Sequence, residues 1–335
     1  MRNPFAPYVG ALALTYLSIA SAQAAEAPSQ RTFKFTYAAT VEAVPQGSGP
    51  VDVFIPLAKN DEHQTIVSRK VNASIPGEVS TEPEYHNEFW HGHLDSSDGK
   101  PITVNVDYVV TRKTFSQDKL SSAKDATYSE EEKKNLARFL QSDALVPVSG
   151  PLIEKIEQDL PKTEPLPALR ARTIYDYVVD TMEYKKVGTG WGNGSTEWAC
   201  SQRYGNCTDF HSLFISLARA EKIPSKFEIG FSIPSDQPSG EIAGYHCWAE
   251  FYLPKVGWTP IDASEAKKHP ENRELFFGTH PADRLQLSVG RDIKLGSGHQ
   301  DKPLNYFVFP YVEVGGKKYD SIKRTFSYED VKAAG

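Results

Sequence analysis

The sequence predicts an α+β protein in which an N-terminal β-sandwich precedes a second domain, built from a helix packed on an antiparallel sheet. Two observations predict this class. Short segments of alternating polarity fill the first third of the chain, and helical patterns followed by further strand patterns come after residue 116. The 335 residues are enough for two domains of ordinary size.

The first residues have the pattern of a secretory signal. Arg2 is followed by a short apolar run and then by small residues at Ala22 and Ala24. We therefore expect residues 1–24 to be a signal peptide and the protein to be periplasmic or secreted. The apolar run is too short to span a bilayer securely, so no integral membrane segment is expected after signal removal.

Residues 30–116 are predicted to form the sandwich. Turn-forming stretches at 45–50 and 95–101 separate segments in which polar and apolar residues alternate. The strand-like segments are TFKFTYAATVEA, VDVFIPLA, QTIVSRKVNASI, EFWHGHL and ITVNVDYVVTRKTF. The sequence of this region shows no arrangement of catalytic residues, so the sandwich is interpreted as a structural module.

The same region contains a pair of histidines, His91 and His93, with metal-ligating side chains. His91 and His93 lie on one face of a predicted strand and could hold a metal ion. No third ligand is visible near them in the sequence. The sequence therefore predicts no metal site and no cofactor.

The charge pattern bears on the choice of partner. The net charge is −6, and the basic residues are scattered along the chain. Nucleic acid is therefore not expected as a partner, because nucleic-acid binding needs clustered positive charge.

A helical linker region is predicted for residues 117–168 and the second domain for residues 169–335. The linker is polar and contains helical patterns at 129–141 and 151–160. The second domain begins with a helix and then has a loop rich in glycine and aromatic residues. The glycine spacing in that loop is not that of a phosphate-binding loop, so nucleotide binding is rejected.

Cys207 lies at the start of the next helix. Apolar residues at helical spacing follow it from Phe210, as expected for a helix with one buried stripe. A thiol at a helix N-terminus meets unpaired backbone N–H groups and the positive end of the helix dipole, both of which favour the thiolate. Cys207 is therefore a candidate nucleophile.

A base and an orienting carboxylate follow downstream. His246 begins one strand of a predicted hairpin and Asp262 ends the other, so antiparallel pairing brings the two near each other. Alternation along the first strand places His246 and Cys247 on opposite faces.

The hairpin register decides whether Asp262 can reach His246. A symmetric four-residue loop at 254–257 would pair Asp262 with Ala249, on the wrong face. Pairing with an even-numbered residue such as Trp248 requires an asymmetric loop or a bulge. The candidate triad therefore predicts an asymmetric hairpin.

These segments resemble the transglutaminase-like superfamily of papain-related cysteine enzymes, over roughly residues 173–265. The segments that carry the resemblance are GNCTDFHSLFISLARAEKIPSKFEIGF, GYHCWAEFYL and GWTPIDAS. The resemblance implies Cys207 as nucleophile, His246 as general acid/base and Asp262 as the residue that orients the imidazole. It also implies a papain-like core and acyl transfer from amides of a peptide or protein substrate, with hydrolysis favoured over crosslinking.

The tetrahedral intermediate of that reaction needs two oxyanion donors. The backbone N–H of Cys207 is the first candidate. Gln202 and the indole N–H groups of Trp191 and Trp198 are candidates for the second. His211, one turn after Cys207, is a rival base that we interpret as mostly structural.

The remaining cysteines leave two alternatives open. A disulfide between Cys200 and Cys247 would tether the glycine-rich loop to the back of the His246 strand. A bridge between Cys207 and Cys247 would instead leave the site latent or inactive.

A second hypothesis for the whole protein is a non-catalytic module that binds a peptide or a cell-wall component on the same fold. The presence of cysteine, histidine and aspartate together favours the enzyme.

Overall fold

The structure is a computed structural model that describes residues 29–120, 123–124, 127–162 and 165–331. The expected signal peptide, residues 1–24, lies outside this range. None of the helices in the described ranges is both long enough and apolar enough to span a membrane.

The chain alternates between strand-rich and helix-rich stretches. The strands are β1 (Gln30–Val41), β2 (Val51–Leu57), β3 (Gln64–Ala73), β4 (Gly77–Thr81), β5 (Glu88–Leu94), β6 (Ile102–Lys113), β7 (Phe115–Ser116), β8 (Glu183–Tyr184), β9 (Tyr204–Gly205), β10 (Ser225–Ser232), β11 (Ser239–Glu241), β12 (His246–Leu253), β13 (Gly257–Ile261), β14 (Thr279–His280), β15 (Arg284–Val289), β16 (Tyr311–Val314), β17 (Lys317–Lys318) and β18 (Ile322–Asp330). The helices are α1 (Glu130–Asn135), α2 (Pro151–Asp159), α3 (Pro167–Thr181), α4 (Thr196–Gln202), α5 (Cys207–Ala220) and α6 (Ala263–Lys268).

Two five-stranded sheets form the sandwich. One sheet has the order β11-β18-β1-β6-β3 and the other has the order β17-β16-β2-β5-β4. Every second residue of β1 and β6 is buried, and Phe33, Val53 and Val106 share one core between the sheets. The predicted α+β class with an N-terminal sandwich is confirmed.

The end of the chain completes this sandwich. Strand β18 pairs with β1 over its whole length, and β16 pairs with β2. The division drawn from the sequence places residues 311–330 in the second domain, whereas here they lie in the sandwich sheets. Their alternating pattern buries Phe326 and Tyr328, and it covers the edges that β1 and β2 would otherwise expose.

The second domain contains a four-stranded antiparallel sheet in the order β13-β12-β10-β15. Helix α5 packs on this sheet and is flanked by α3 and α4. Every residue of α5 from Cys207 to Arg219 is buried. The sequence predicted that α5 has one buried stripe, and this expectation is wrong. The sheet and the neighbouring helices surround α5 on several sides.

An aromatic cluster joins the two domains. Phe326 of β18 lies 4.4 Å from Phe231 of β10 and 4.8 Å from Tyr37 of β1, measured between ring centroids. Phe35 lies 5.1 Å from Phe231. Strand β10 is therefore packed directly against the sandwich.

We expect Phe326→Ala to lower the free energy of unfolding by about 3–5 kcal/mol, because a buried ring is removed from a close-packed cluster. Chemical denaturation measures this. The control is Val67→Ala, at a position that is 60% exposed, and it should change the free energy by no more than about 0.5 kcal/mol. Equal, small effects of the two substitutions would contradict a joint core.

Candidate active site

Helix α5 presents Cys207 as its first residue. The Asn206 side chain accepts a hydrogen bond from the Thr208 N–H at 3.0 Å, and the Asp209 carboxylate accepts one from the Asn206 N–H at 3.0 Å. This reciprocal cap fixes the first turn. Cys207 is 2% exposed and lies where the first backbone N–H groups of a helix have no intrahelical acceptor.

The hairpin has the asymmetry that the triad requires. Strands β12 and β13 pair from Ala249 with Ile261 to Leu253 with Gly257, so the connecting loop has three residues rather than four. Asp262, the next residue after β13, thereby falls on the side of Trp248. The His246 Nε2 and the Asp262 Oδ2 lie 2.6 Å apart.

Asp262 is held by both of its oxygens. While Oδ2 faces His246, Oδ1 accepts hydrogen bonds from the Ser264 hydroxyl and the Glu265 N–H, each at 2.9 Å. Asp262 is thus the N-cap of α6 as well as the partner of the histidine. Burial raises the pKa of this carboxyl, but the charge and hydrogen bond of His246 outweigh it and hold the pKa well below its ordinary value.

The pKa values of Cys207 and His246 are shifted in the directions that a thiolate–imidazolium pair requires. Burial raises the pKa of the Cys207 thiol, but hydrogen bonds from Cys247 and His246 and the charge of the imidazole outweigh it and hold the pKa well below the ordinary thiol value. Burial lowers the pKa of His246, but Asp262 and Cys207 raise it to about 9. The two shifts together favour thiolate and imidazolium at neutral pH.

Cys247 supports the charge on Cys207. It follows His246 on β12, is fully buried, and its own pKa is raised by burial and by the hydrogen bond to Cys207. Its Sγ also lies 3.7 Å from the Thr208 Oγ1. A protonated Cys247 can donate its single S–H either to this hydroxyl or to Cys207, and the second arrangement stabilises a thiolate at position 207.

His211 is fully buried and neutral. Its Nε2 accepts a hydrogen bond from the Ala263 N–H at 3.2 Å, so its proton lies on Nδ1, near the Cys207 carbonyl and the Cys247 sulfur. Burial lowers its pKa. A ring with this proton arrangement connects the first turns of α5 and α6, which supports its structural interpretation.

Asp209 holds the glycine-rich loop against α5. Its carboxylate accepts hydrogen bonds from the Gly192 N–H at 2.7 Å and the Gly194 N–H at 3.0 Å. Both glycines have positive φ angles, which this close approach of the loop backbone requires. The loop backbone therefore lies against the first turn of α5.

Tyr245 was not among the site residues predicted from the sequence. Its hydroxyl accepts a hydrogen bond from the Asn206 Nδ2 at 2.9 Å and lies 2.8 Å from the Thr208 Oγ1. The alternation that places Cys247 on the α5 side of β12 also places Tyr245 there, so the signal was present in the sequence.

The three candidates for the second oxyanion donor make different hydrogen bonds in the structure. The Trp191 indole N–H donates to the Gly188 carbonyl and the Trp198 indole N–H donates to the Tyr204 carbonyl, each at 3.0 Å. Gln202 is exposed at the end of α4, with its amide 3.5 Å from the Ser201 hydroxyl. These contacts argue against the two indoles, and Gln202 stays a prediction.

The Cys200–Cys247 disulfide considered from the sequence is absent. All three cysteines are free thiols. Cys247 faces the first turns of α5, whereas Cys200 is buried in α4, where burial raises its pKa to about 11. Neither of the two bridges that the sequence left open is present in the structure.

Comparison with known proteins bears on the family and the fold. Residues 154–263 match the transglutaminase-like superfamily, which confirms the resemblance inferred from the sequence. A protein from Haemophilus influenzae, described only as uncharacterized, is 26% identical over 328 residues, which cover 86% of this chain and 88% of that protein.

One solved structure shows the same fold. A protein from Cytophaga hutchinsonii, provisionally assigned as a cysteine protease, superposes with a TM-score of 0.58 at 16% identity, over 91% of this chain and 93% of that chain. The periplasmic domain of TgpA from Pseudomonas aeruginosa gives a TM-score of 0.32 at 14% identity, over 74% of this chain and 91% of that one.

The pKa shifts of Cys207 and His246 predict an acidic thiol at position 207. Alkylation of the folded protein with iodoacetamide at a series of pH values, read by mass spectrometry at each cysteine, should give Cys207 a pKa well below about 8.5. In His246→Ala the pKa should rise above that value, because burial then acts without the imidazolium. The control His86→Asn alters an exposed histidine of the sandwich and should leave the pKa unchanged. An equal thiol pKa in wild type and His246→Ala would contradict the pair.

Because Cys247 lowers the pKa of Cys207, Cys247→Ala is expected to have an effect of the same sign as His246→Ala and of smaller size. Removing the S–H donor should raise the Cys207 pKa measured in the same way, while His246→Ala raises it further. Cys200→Ala is the matched control, because it also removes a buried thiol and should leave the pKa unchanged. A Cys207 pKa that is the same in Cys247→Ala and wild type would show that Cys247 contributes packing alone.

Proposed function

We propose, from the premise that residues 154–263 form a domain of the transglutaminase-like superfamily, that this protein is an exported cysteine enzyme acting on amide bonds of peptides or proteins. The observation that carries the proposal is a row of three side chains, in which Asp262 lies 2.6 Å from His246 and the imidazole lowers the pKa of Cys207. A nucleophile, a base and a group that orients the base are the parts that acyl transfer needs. The signal-like pattern of the first residues supports export.

The first half of the reaction forms a thioester. The Cys207 thiolate attacks the carbonyl carbon of the amide, and the negative charge moves to the carbonyl oxygen. Since the His246 Nε2 is hydrogen-bonded to Asp262, Nδ1 is the ring nitrogen that exchanges protons with Cys207 and the substrate. The leaving amine takes its proton from this nitrogen as the C–N bond breaks.

The second half releases the acyl group. His246, now neutral, accepts a proton from water as the water oxygen attacks the thioester carbonyl, and Cys207 leaves as thiolate. Asp262 keeps the imidazole oriented in both halves and stabilises its positive charge. The cycle ends with the same thiolate and imidazolium with which it began.

The developing oxyanion requires donors close to Cys207. The backbone N–H of Cys207 is one, because it is the first amide of α5 and points away from the helix. The positive end of the α5 dipole favours negative charge at the same place.

Hydrolysis is favoured over transfer to an amine. Cys207 is 2% exposed and His246 is 6% exposed, so only a small part of each side chain is accessible to solvent. Water reaches a thioester in such a site more easily than a lysine side chain attached to a second protein.

The proposal is tested with a peptide library that carries glutamine side chains and scissile peptide bonds, incubated with the mature protein and analysed by mass spectrometry. Parallel reactions contain an added primary amine. We expect peptide cleavage or deamidation, with products that do not change when the amine is present, since water is the favoured acceptor.

Two variants make the test specific. Cys207→Ala should abolish all mass changes, while Cys200→Ala should keep them, because Cys200 lies outside the row. If correctly folded wild type leaves every peptide unchanged, the proposed enzymatic activity is contradicted. The non-catalytic binding module is then the better hypothesis. Amine incorporation would contradict the preference for hydrolysis and keep the acyl-transfer chemistry.

A further inference from the structure

A second cluster of chemically competent side chains lies on the sandwich, on the paired strands β2 and β5. Asp52 is directly opposite His93, and Phe54 is directly opposite His91. Because residues two apart on a strand share a face, both histidines and Asp52 lie on the same side of this sheet. Asp52 is not recognisable from the sequence as a third ligand, because it precedes His91 by 39 residues.

Both imidazoles converge on one oxygen atom. The His91 Nε2 and the His93 Nδ1 each lie 2.8 Å from the Asp52 Oδ1. Asp52 is 2% exposed, and a buried carboxylate is costly unless its charge is balanced. The three ligand atoms lie within 4.8 Å of one another.

We propose that Asp52, His91 and His93 bind a late divalent transition-metal ion, with Zn²⁺ as the expected occupant. Two imidazole nitrogens and a carboxylate oxygen are a ligand set that zinc uses, and imidazole favours zinc over calcium or magnesium. The activity proposed above plays no part in this site.

The spacing of the ligands suits such an ion after a small adjustment. Donor atoms at about 2.0–2.1 Å from a tetrahedral zinc ion are about 3.3 Å from one another. The two distances to Asp52 Oδ1 are 2.8 Å, so each contact has to open by roughly half an ångström. The His93 side chain is 48% exposed, which leaves it room to move.

A second carboxylate fixes the proton arrangement that the ion requires. A histidine that ligates a metal through one nitrogen usually donates the other N–H to a carboxylate or carbonyl. His93 ligates through Nδ1 in this proposal, and its Nε2 lies 3.3 Å from the Asp95 Oδ1. Asp95 is therefore the outer partner that selects the ligating form of His93.

Gly298 leaves space beside the ligand atoms. Its backbone lies next to the three side chains and has a positive φ angle. A Cβ atom at this position would lie 3.0 Å from the His91 Nε2 and 3.1 Å from the Asp52 Oδ1. Any other residue at 298 would put its side chain where the ligands converge. With three protein ligands, the fourth position of the ion is open to water.

The experiment measures zinc binding to the full mature chain after treatment with EDTA. Isothermal titration with Zn²⁺, and metal analysis after dialysis, should give one bound equivalent for wild type. His93→Ala should bind about 100-fold more weakly or worse, since loss of a ligand costs at least as much as loss of an outer partner. His86→Asn, which alters an exposed histidine of the same domain, should bind as wild type does.

A further comparison separates this cluster from the candidate active site, where His246, Asp262 and Glu265 also lie close together. Cys207→Ala should keep the bound equivalent. Co²⁺ in place of zinc should give ligand-field bands without a sulfur charge-transfer band, because no thiol lies among the proposed ligands.

Thermal unfolding provides the check on folding, because zinc should raise the melting temperature of wild type and leave that of His93→Ala unchanged. Three results would overturn the proposal: no stoichiometric binding to wild type, unchanged affinity in a folded His93→Ala, or a bound equivalent that disappears in Cys207→Ala.

Discussion

The hydrogen bond between Asp262 and His246 is the interaction on which the candidate active site depends. Asp262 is fully buried, and its second oxygen is committed to the first turn of α6, so the carboxylate cannot turn away from the ring. In a medium of low polarity, the negative charge next to the imidazole is what allows the ring to stay protonated beside a buried thiol. Asp262, at the end of a hairpin strand, therefore favours the charge on Cys207 through the imidazole of His246.

The hairpin and the sandwich together hold this row in place. The three-residue loop between β12 and β13 contains Lys255 in the left-handed region, with a φ of 61°. That local geometry sets the register that brings Asp262 to the His246 side. Strand β12 pairs in turn with β10, whose Phe231 packs against the sandwich. Catalytic side chains need placement to within about 0.5 Å, and strands anchored on both sides give that precision better than loops do.

The sequence predicted local features well and distant contacts poorly. Alternation identified β1, β2, β3, β5 and β6, and helical spacing with a cysteine at its start identified α5, because both signals lie within a few residues. Strands β16 and β18 were assigned to the other domain, since their pairing with β2 and β1 joins the two ends of the chain. Asp52 was missed for the same reason. Tyr245 differs from these cases, because the face it occupies follows from the alternation already used for Cys247.

The histidines around Asp262 show why residue identity alone cannot assign a base. Three of them, His211, His246 and His280, are buried, and only His246 has a raised pKa. His211 accepts a hydrogen bond at Nε2 from a backbone amide, so a second proton has no place there. His280 receives a hydrogen bond from Arg112, and burial and that positive charge hold its pKa well below the ordinary value. Of these three rings, His246 is the one with a carboxylate at Nε2 and with Cys207, whose lowered pKa favours the thiolate, as a second partner. One buried imidazolium is therefore permitted in this region, and it is the ring next to the sulfur.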